Sequence, residues 1–541
     1  MSPPDLDRVD STAARPRLVP VPVLSSPGAN ETSGVRDPGA RWTEIDAYRY
    51  HFKFFGECEA EIKKLVPEDR RAAVKASGIM YLAHDADDLT TLNKMAGEAH
   101  RRTAGYSPMN RARYAEGAAL LSLQDRSGAG DTELTLFDFG PPALPKKLAE
   151  RLGRKLEANM SDPQTLMDMV VMCKRVFPNA EISVYANGHS RSVFLGAFSD
   201  HHPGDPADFD PASGGKRSPH DIMSYPALAK TLLDLSTRYG IRIGALGLLA
   251  CGTGALEIVR QFVPDEGCAP AARYLVVSED ALTGSSTAWI DLLAPRNGYD
   301  AGKLAKAMGR AVFDDGVRED RTTGHRVPHA VAVLDLDKAR GAYDALACFQ
   351  AAASAAVLAY PRAFMRARNE TQRMKGSGSI DFSAQVDAKD FIERVARNVL
   401  AEALATTHGA SVEPAFEALL MDGSLPPGLD EPARKLLLAS HEVVSRLDEL
   451  VVQASTPTPE AWAERWDGCE MKSAHGLSFF LPGATTGDDG FSVRSHATGR
   501  FSDSSAAGAL EVALPGFGSL GFVELGKRID SEARRIARSM P

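Results

Sequence analysis

The sequence predicts an α/β fold, a sandwich in which helices cover a mostly parallel sheet, followed by a helix-rich C-terminal unit. Three observations predict it. Short apolar runs of strand length recur from residue 77 to residue 334, most of them closed by Gly, Pro, Asp or Asn. Stretches with helical period separate those runs, and alternation on this scale is the mark of a parallel sheet with helices on both faces. Beyond about residue 340 helical patterns continue with a single late strand. At 541 residues the chain exceeds one ordinary domain. The divisions expected are a disordered leader at 1–48, the α/β domain at 49–345 and the helix-rich unit at 346–541.

Residues 1–41 carry Pro, Ser, Gly and scattered charge without a sustained period. From Trp42 to Val74 the pattern is helical. Ser77 to Ala83 is then a strand ending in the acidic turn His84-Asp85-Ala86-Asp87-Asp88. Leu120 to Gln124 and Leu134 to Phe139 are two more strands, the second closed by Gly140-Pro141-Pro142. A helix follows, with Asp162 as cap, Pro163 at its first position and Leu166, Met169, Val170 and Cys173 on one face. Glu181 to Ala186 is a strand, and a long polar loop runs from there to about Pro219. Pro226 to Tyr239 is a helix, Ile243 to Ala250 a buried strand, and Tyr274 to Val277 and Ala330 to Leu334 are short strands. His475 to Leu481 supplies the late one.

Composition excludes several classes. Hydrophobic residues at 44% and charged residues at 25% are ordinary globular usage, unlike a disordered, collagen-like or coiled-coil chain. Lys and Arg number 62 against 71 Asp and Glu, a net charge of −9, so no bulk positive field exists to hold nucleic acid or anionic lipid. No apolar run is expected to reach the roughly 18 to 20 residues of a spanning helix, because Gln350 and Pro361 bound the Ala-rich stretch between them. The six cysteines, Cys58, Cys173, Cys251, Cys268, Cys348 and Cys469, form neither a C-x-x-C pair nor a zinc-site spacing, so neither a disulfide framework nor a metal centre is expected. The N-terminus MSPPDLDRVDST lacks the basic start of a Sec signal. The expected location is cytoplasmic, or outside the cell by a non-Sec route.

Open parallel sheets react at the carboxyl ends of their strands. Two ends stand out. Asn187-Gly188-His189-Ser190 follows one strand, and Cys251-Gly252-Thr253-Gly254 follows another, with a helical pattern starting near Ala255. A cysteine between a strand and a helix N-terminus meets backbone N–H groups that favour the thiolate, the nucleophilic form. An imidazole on a neighbouring strand end completes a Cys–His dyad, and backbone N–H groups among the glycines can hold an oxyanion. Such a cysteine is also commonly just a small buried hydrophobe, and a lone loop histidine just a solvated one.

Seven segments, in order, resemble the clostripain family of cysteine peptidases. They are IMYLAHDADDL at 79–89, LQDR at 123–126, NMSDPQTLMDMV at 159–170, VYANGHS at 184–190, LLACGTGALEIV at 248–259, YLVVSED at 274–280 and HGLSFFLP at 475–482. The resemblance covers about residues 76 to 500 and implies the caspase-like α/β/α fold and hydrolysis of peptide bonds in proteins or peptides. It implies Cys251 as nucleophile, His189 as the group that takes and returns protons, and the backbone N–H groups of Ser190 and Cys251 as oxyanion donors. It further implies cleavage after Arg or Lys and, as in several relatives, self-cleavage between the His and the Cys. The loop at 196–219 offers Lys216 and Arg217 for that cut. Two positions depart from the family pattern. Ser190 stands where Gly is usual, and Leu249 where an Asp lines the pocket for the basic side chain. Glu279 and Asp280 are the acids expected to replace it. Calcium dependence occurs in the family, and Asp85, Asp87 and Asp88 offer oxygens, but without the spacing and Gly of an EF-hand loop. No cofactor is expected.

Two rival readings use the same residues. Gly188-His189-Ser190-Arg191-Ser192 resembles the G-x-S-x-G elbow of serine hydrolases, with Ser190 as nucleophile and His220, His325 or His329 as partner, but Ser192 replaces the final Gly. Alternatively the two departures mark a catalytically inactive peptidase fold kept for binding.

Overall fold

The central sheet is assembled around a block of parallel strands whose carboxyl ends all lie at one side. The computed structural model of the chain describes residues 68–73, 76–83, 118–125, 132–138, 163–188, 196, 223–263, 268–279, 282, 300–317, 330–372, 374, 385–405, 411–456, 474–481 and 520–539. Helix α1 (Glu68–Ala73) precedes β1 (Ala76–Ala83), β2 (Ala118–Asp125) and β3 (Thr132–Asp138), and then come α2 (Pro163–Val176) and β4 (Glu181–Gly188). Next are α3 (Tyr225–Tyr239), β5 (Ile243–Leu249), the single turn α4 (Leu256–Val259), β6 (Ala272–Ser278), α5 (Ala301–Val317) and β7 (Val331–Asp335). The remainder is α6 (Leu336–Ala359), α7 (Pro361–Glu370), β8 (Gln385–Asp387), α8 (Ala388–Ala405), α9 (Val412–Asp422), α10 (Glu431–Leu450), β9 (Val451–Ser455), β10 (Ser478–Phe480) and α11 (Phe522–Ser539).

Eight strands pair in the order β3-β2-β1-β4-β5-β6-β7-β9. The five from β2 to β6 run parallel, while β3, β7 and β9 are antiparallel to their neighbours. Every residue of β5 is buried, as a strand covered on both faces requires. The strand at 330–334 is therefore present but antiparallel, and the late strand is shorter than expected. It is also outside the main sheet, since β10 pairs antiparallel with β8.

One irregularity matters for the site. Along β4 and β5 the register shifts by one residue between Ile182 and Val184, where the Ala245 amide donates to Ser183 Oγ at 3.3 Å. Beyond the shift Ala186 pairs with Leu248 and Asn187 with Leu249, so the two strands end level.

The boundary expected at 345/346 falls inside α6, a continuous 24-residue helix, and β9 adds the helix-rich half's own strand to the main sheet. Residues 50–541 accordingly cluster as one compact unit. The same helix corrects the hydropathy expectation. It starts at Leu336, far upstream of Gln350, and is long and apolar enough by length and composition to cross a bilayer. Half of that apolar window is buried within the protein, where α6 packs along α10 and touches α11, as a core helix does.

Candidate active site

Cys251 begins the turn that ends β5. Gly252 has φ 67°, a left-handed conformation that a side chain would strain, so the chain reverses there at glycine. Thr253 fixes the turn to two strands. Its hydroxyl lies 2.8 Å from Leu248 O and 3.2 Å from Ala250 O, and it accepts from the Ser278 amide at 3.2 Å. The Gly254 amide donates to Ser278 O at 2.7 Å. A Cβ on Gly254 would come within 3.1 Å of that carbonyl, which is why a glycine stands where the turn presses on β6. Cys251 is 6% exposed, and its thiol donates to the carbonyl of Leu282 at 3.4 Å.

The helix after the cysteine is shorter than its pattern suggests. It runs for one α-turn and one 3-10 turn, and stops where Val263 is extended before Pro264. Four residues make only a weak dipole, so α4 supplies little of the effect expected of a helix N-terminus.

Two buried polar side chains border this turn and were not assigned a role from the sequence. Tyr225 opens α3, the helix that leads back to the start of β5, so its N-terminus lies at the carboxyl end of the sheet. Its hydroxyl is fully buried and, among the described residues, has no hydrogen-bond partner. Burial pushes the phenol well above its usual range, and Cys251 nearby adds to the shift. Glu257, in α4, is 2% exposed, and burial raises its carboxyl to about 7 against the lowering effect of the Phe480 amide and its own. Its Oε1 accepts from Phe480 N–H at 2.8 Å. Neither residue has a local pattern that distinguishes it from core.

Of the residues singled out from the sequence, Leu249 is the last of β5 and is buried. Glu279 follows β6 and is 0% exposed, and its Oε2 accepts from the Gly476 amide at 2.8 Å. One oxygen of the carboxylate expected to receive a basic substrate side chain is thus engaged by a backbone amide within the protein. His189, Ser190, Asp280, Lys216, Arg217, Asp85, Asp87 and Asp88 lie outside the described residues, as do His220, His325 and His329. The described part of β4 ends at Gly188, next to His189 in the chain. Among the described residues no group of three His, Cys, Asp or Glu side chains is arranged to hold a metal ion. Among the described residues Cys173, Cys251, Cys268 and Cys348 form no disulfide.

No protein-family model matches this chain, and neither does any curated protein. Among solved structures it is similar to an inactive zymogen C11 protease from Parabacteroides distasonis, with 12% identity and a TM-score of 0.45 over 84% of this chain and 98% of that one. It is similar to a secreted C11 cysteine protease of Bacteroides thetaiotaomicron, iotapain, with 10% identity and a TM-score of 0.44 over 75% and 93%. A third likeness is to a secreted C11 cysteine protease from that organism in complex with an irreversible peptide inhibitor, with 11% identity and a TM-score of 0.42 over 85% and 99%. At this identity and overlap the superpositions assign no chemistry, and the functional reading stands on the chain's own residues.

Proposed function

We propose that this chain is a cysteine endopeptidase of clostripain type in which Cys251 and His189 form the catalytic dyad. The observation that carries the reading is the pairing of Asn187 with Leu249 on adjacent parallel strands. His189 and Cys251 each come two residues later in the sequence, and the carboxyl ends of such strands are where open α/β folds do their chemistry. His189 takes the thiol proton as Cys251 Sγ attacks the scissile carbonyl carbon. The backbone N–H groups of Ser190 and Cys251 hold the resulting oxyanion, and the C–N bond breaks as His189 returns the proton to the leaving amine. Water, deprotonated by His189, then hydrolyses the thioester and restores the thiol.

The substrates proposed are proteins or peptides cleaved after Arg or Lys. Leu249 supplies an apolar wall to the pocket rather than a carboxylate. Glu279 is held by Gly476, so Asp280 is the acid proposed to meet the cation, which needs such a partner when it leaves water. The 196–219 loop, rich in Asp, Pro, Gly and Ser, is proposed as a self-processing segment cut after Lys216 or Arg217.

The test is mass spectrometry of a peptide library incubated with the purified chain, beside its Cys251→Ala and His189→Ala variants. Cleavage after basic residues that both substitutions abolish is the expected result. Full activity in folded Cys251→Ala would refute the assignment.

A further inference from the structure

The segment Ala474–Leu481 crosses beside the Cys251 turn, bending at Gly476 and extended through β10, and three of its alternate amides bond to the residues around that turn. Gly476 N–H donates to Glu279 Oε2 at 2.8 Å, Ser478 N–H to Gly254 O at 2.9 Å, and Phe480 N–H to Glu257 Oε1 at 2.8 Å. Three successive donors on one edge therefore meet three acceptors from the residues that frame the cysteine: the end of β6, the turn itself and the helix after it. Ala255 and Ser478 form a parallel bridge at the middle contact.

The other edge and the side chains tie the segment to the second half of the chain. The His475 amide donates to Asp387 Oδ2 at 2.6 Å, and Leu477 O accepts from the Ala388 amide at 2.9 Å. Phe479 stacks on Phe522 of α11 with ring centroids 3.6 Å apart, and meets Phe391 edge-on at 5.4 Å. Helix α11 is held in turn by Asp530, which accepts from the buried guanidinium of Arg368 at 2.6 Å. Gly476 has φ 103°, and a Cβ there would stand 2.7 Å from Ala332 Cβ, so the segment lies as close to the sheet as backbone allows.

We propose that Glu257 and Glu279 are positioning residues that clamp the Cys251 turn to the 474–481 segment, and that the Phe479–Phe522 stack makes this clamp depend on the C-terminal helix. Neither carboxylate touches substrate in this role. They hold buried backbone amides, and an orphaned buried N–H is costly enough to move the segment. The helix-rich half thereby completes the site. The proposal rests on the reading of Cys251 as nucleophile, but its geometry can be tested without that reading.

The experiment measures two things in the full chain: the rate at which iodoacetamide alkylates Cys251, followed by mass spectrometry, and kcat and KM on a basic peptide. Glu257→Leu removes the acceptor at similar size, Glu257→Gln keeps it, and Phe522→Ala loosens the segment from its far side. Circular dichroism verifies folding. With Glu257→Leu and with Phe522→Ala, alkylation is expected to change by about tenfold and kcat to fall by about tenfold, with KM within about twofold of the parent. Glu257→Gln should recover most of both. Alkylation and kcat at parental values in Phe522→Ala would overturn the proposal, and so would a Glu257→Gln variant as impaired as Glu257→Leu. Should Glu257→Leu fail to fold, Phe522→Ala decides alone. If the parent chain cleaves no peptide, the peptidase reading fails, and the alkylation rates still judge the clamp.

Discussion

Glu279 and Gly476 are joined by a 2.8 Å hydrogen bond across 197 residues of sequence, from the carboxyl end of β6 to the segment before β10. That single contact takes an acid that sequence logic would place in a substrate pocket and makes it part of the frame around Cys251.

Asp280 and Glu279 should consequently separate by substitution. Asp280→Asn is expected to lower the preference for Arg over norleucine before the scissile bond by about tenfold, the loss of one partner to a partly desolvated cation. Glu279→Gln, which keeps an acceptor for Gly476, should leave that preference ratio in place. Ratios of kcat/KM for paired substrates check this, and selectivity lost only in Glu279→Gln would reverse the assignment.

Stability should depend on pH through Glu257. Burial raises its carboxyl from 4.5 to about 7, so between those values the folded chain keeps a proton that the unfolded chain has released. The folded state binds more protons there, and stability falls as pH rises from about 4.5 to about 7, then levels off. Glu257→Gln removes this contribution. The difference in unfolding free energy between parent and variant is expected to change by about 3 kcal/mol across the window. Urea unfolding at the two ends measures it, and a constant difference would mean that the group titrates near its usual value.

The buried hydroxyl of Tyr225 gives a prediction of opposite sense to most core substitutions. It has no hydrogen-bond partner among the described residues, so none of them compensates the desolvation it suffers. Tyr225→Phe is expected to stabilise the chain by about 1 kcal/mol, seen as a higher Tm. A lower Tm would reveal a partner for the oxygen.

Self-processing predicts discrete products. On incubation the parent chain should yield an N-terminal fragment ending at Lys216 or Arg217, while Cys251→Ala stays whole. Intact-mass measurement of both reads the outcome directly. A parent chain that remains whole while cleaving peptides removes this step from the mechanism, and clipping of Cys251→Ala alone at the same rate assigns the cut to another protease.

The local pattern of the chain determined the α/β class, the strands β1 to β7 to within a few residues, and the placement of Cys251 just past one strand end. These are consequences of period and of turn residues, which act over a few positions. What only the tertiary structure decided acts across the chain. The one-residue shift at Ile182 and Val184, which makes Asn187 and Leu249 partners, depends on how two strands separated by α3 meet. The antiparallel sense of β7, the entry of β9 into the same sheet and the continuity of α6 through the expected boundary depend on which faces pack together. Glu257 and Glu279 looked like a helix residue and a solvated turn. Their hydrogen bonds reach amides more than 190 residues later, and no periodicity carries that information because buried carboxylates are paired by proximity in space.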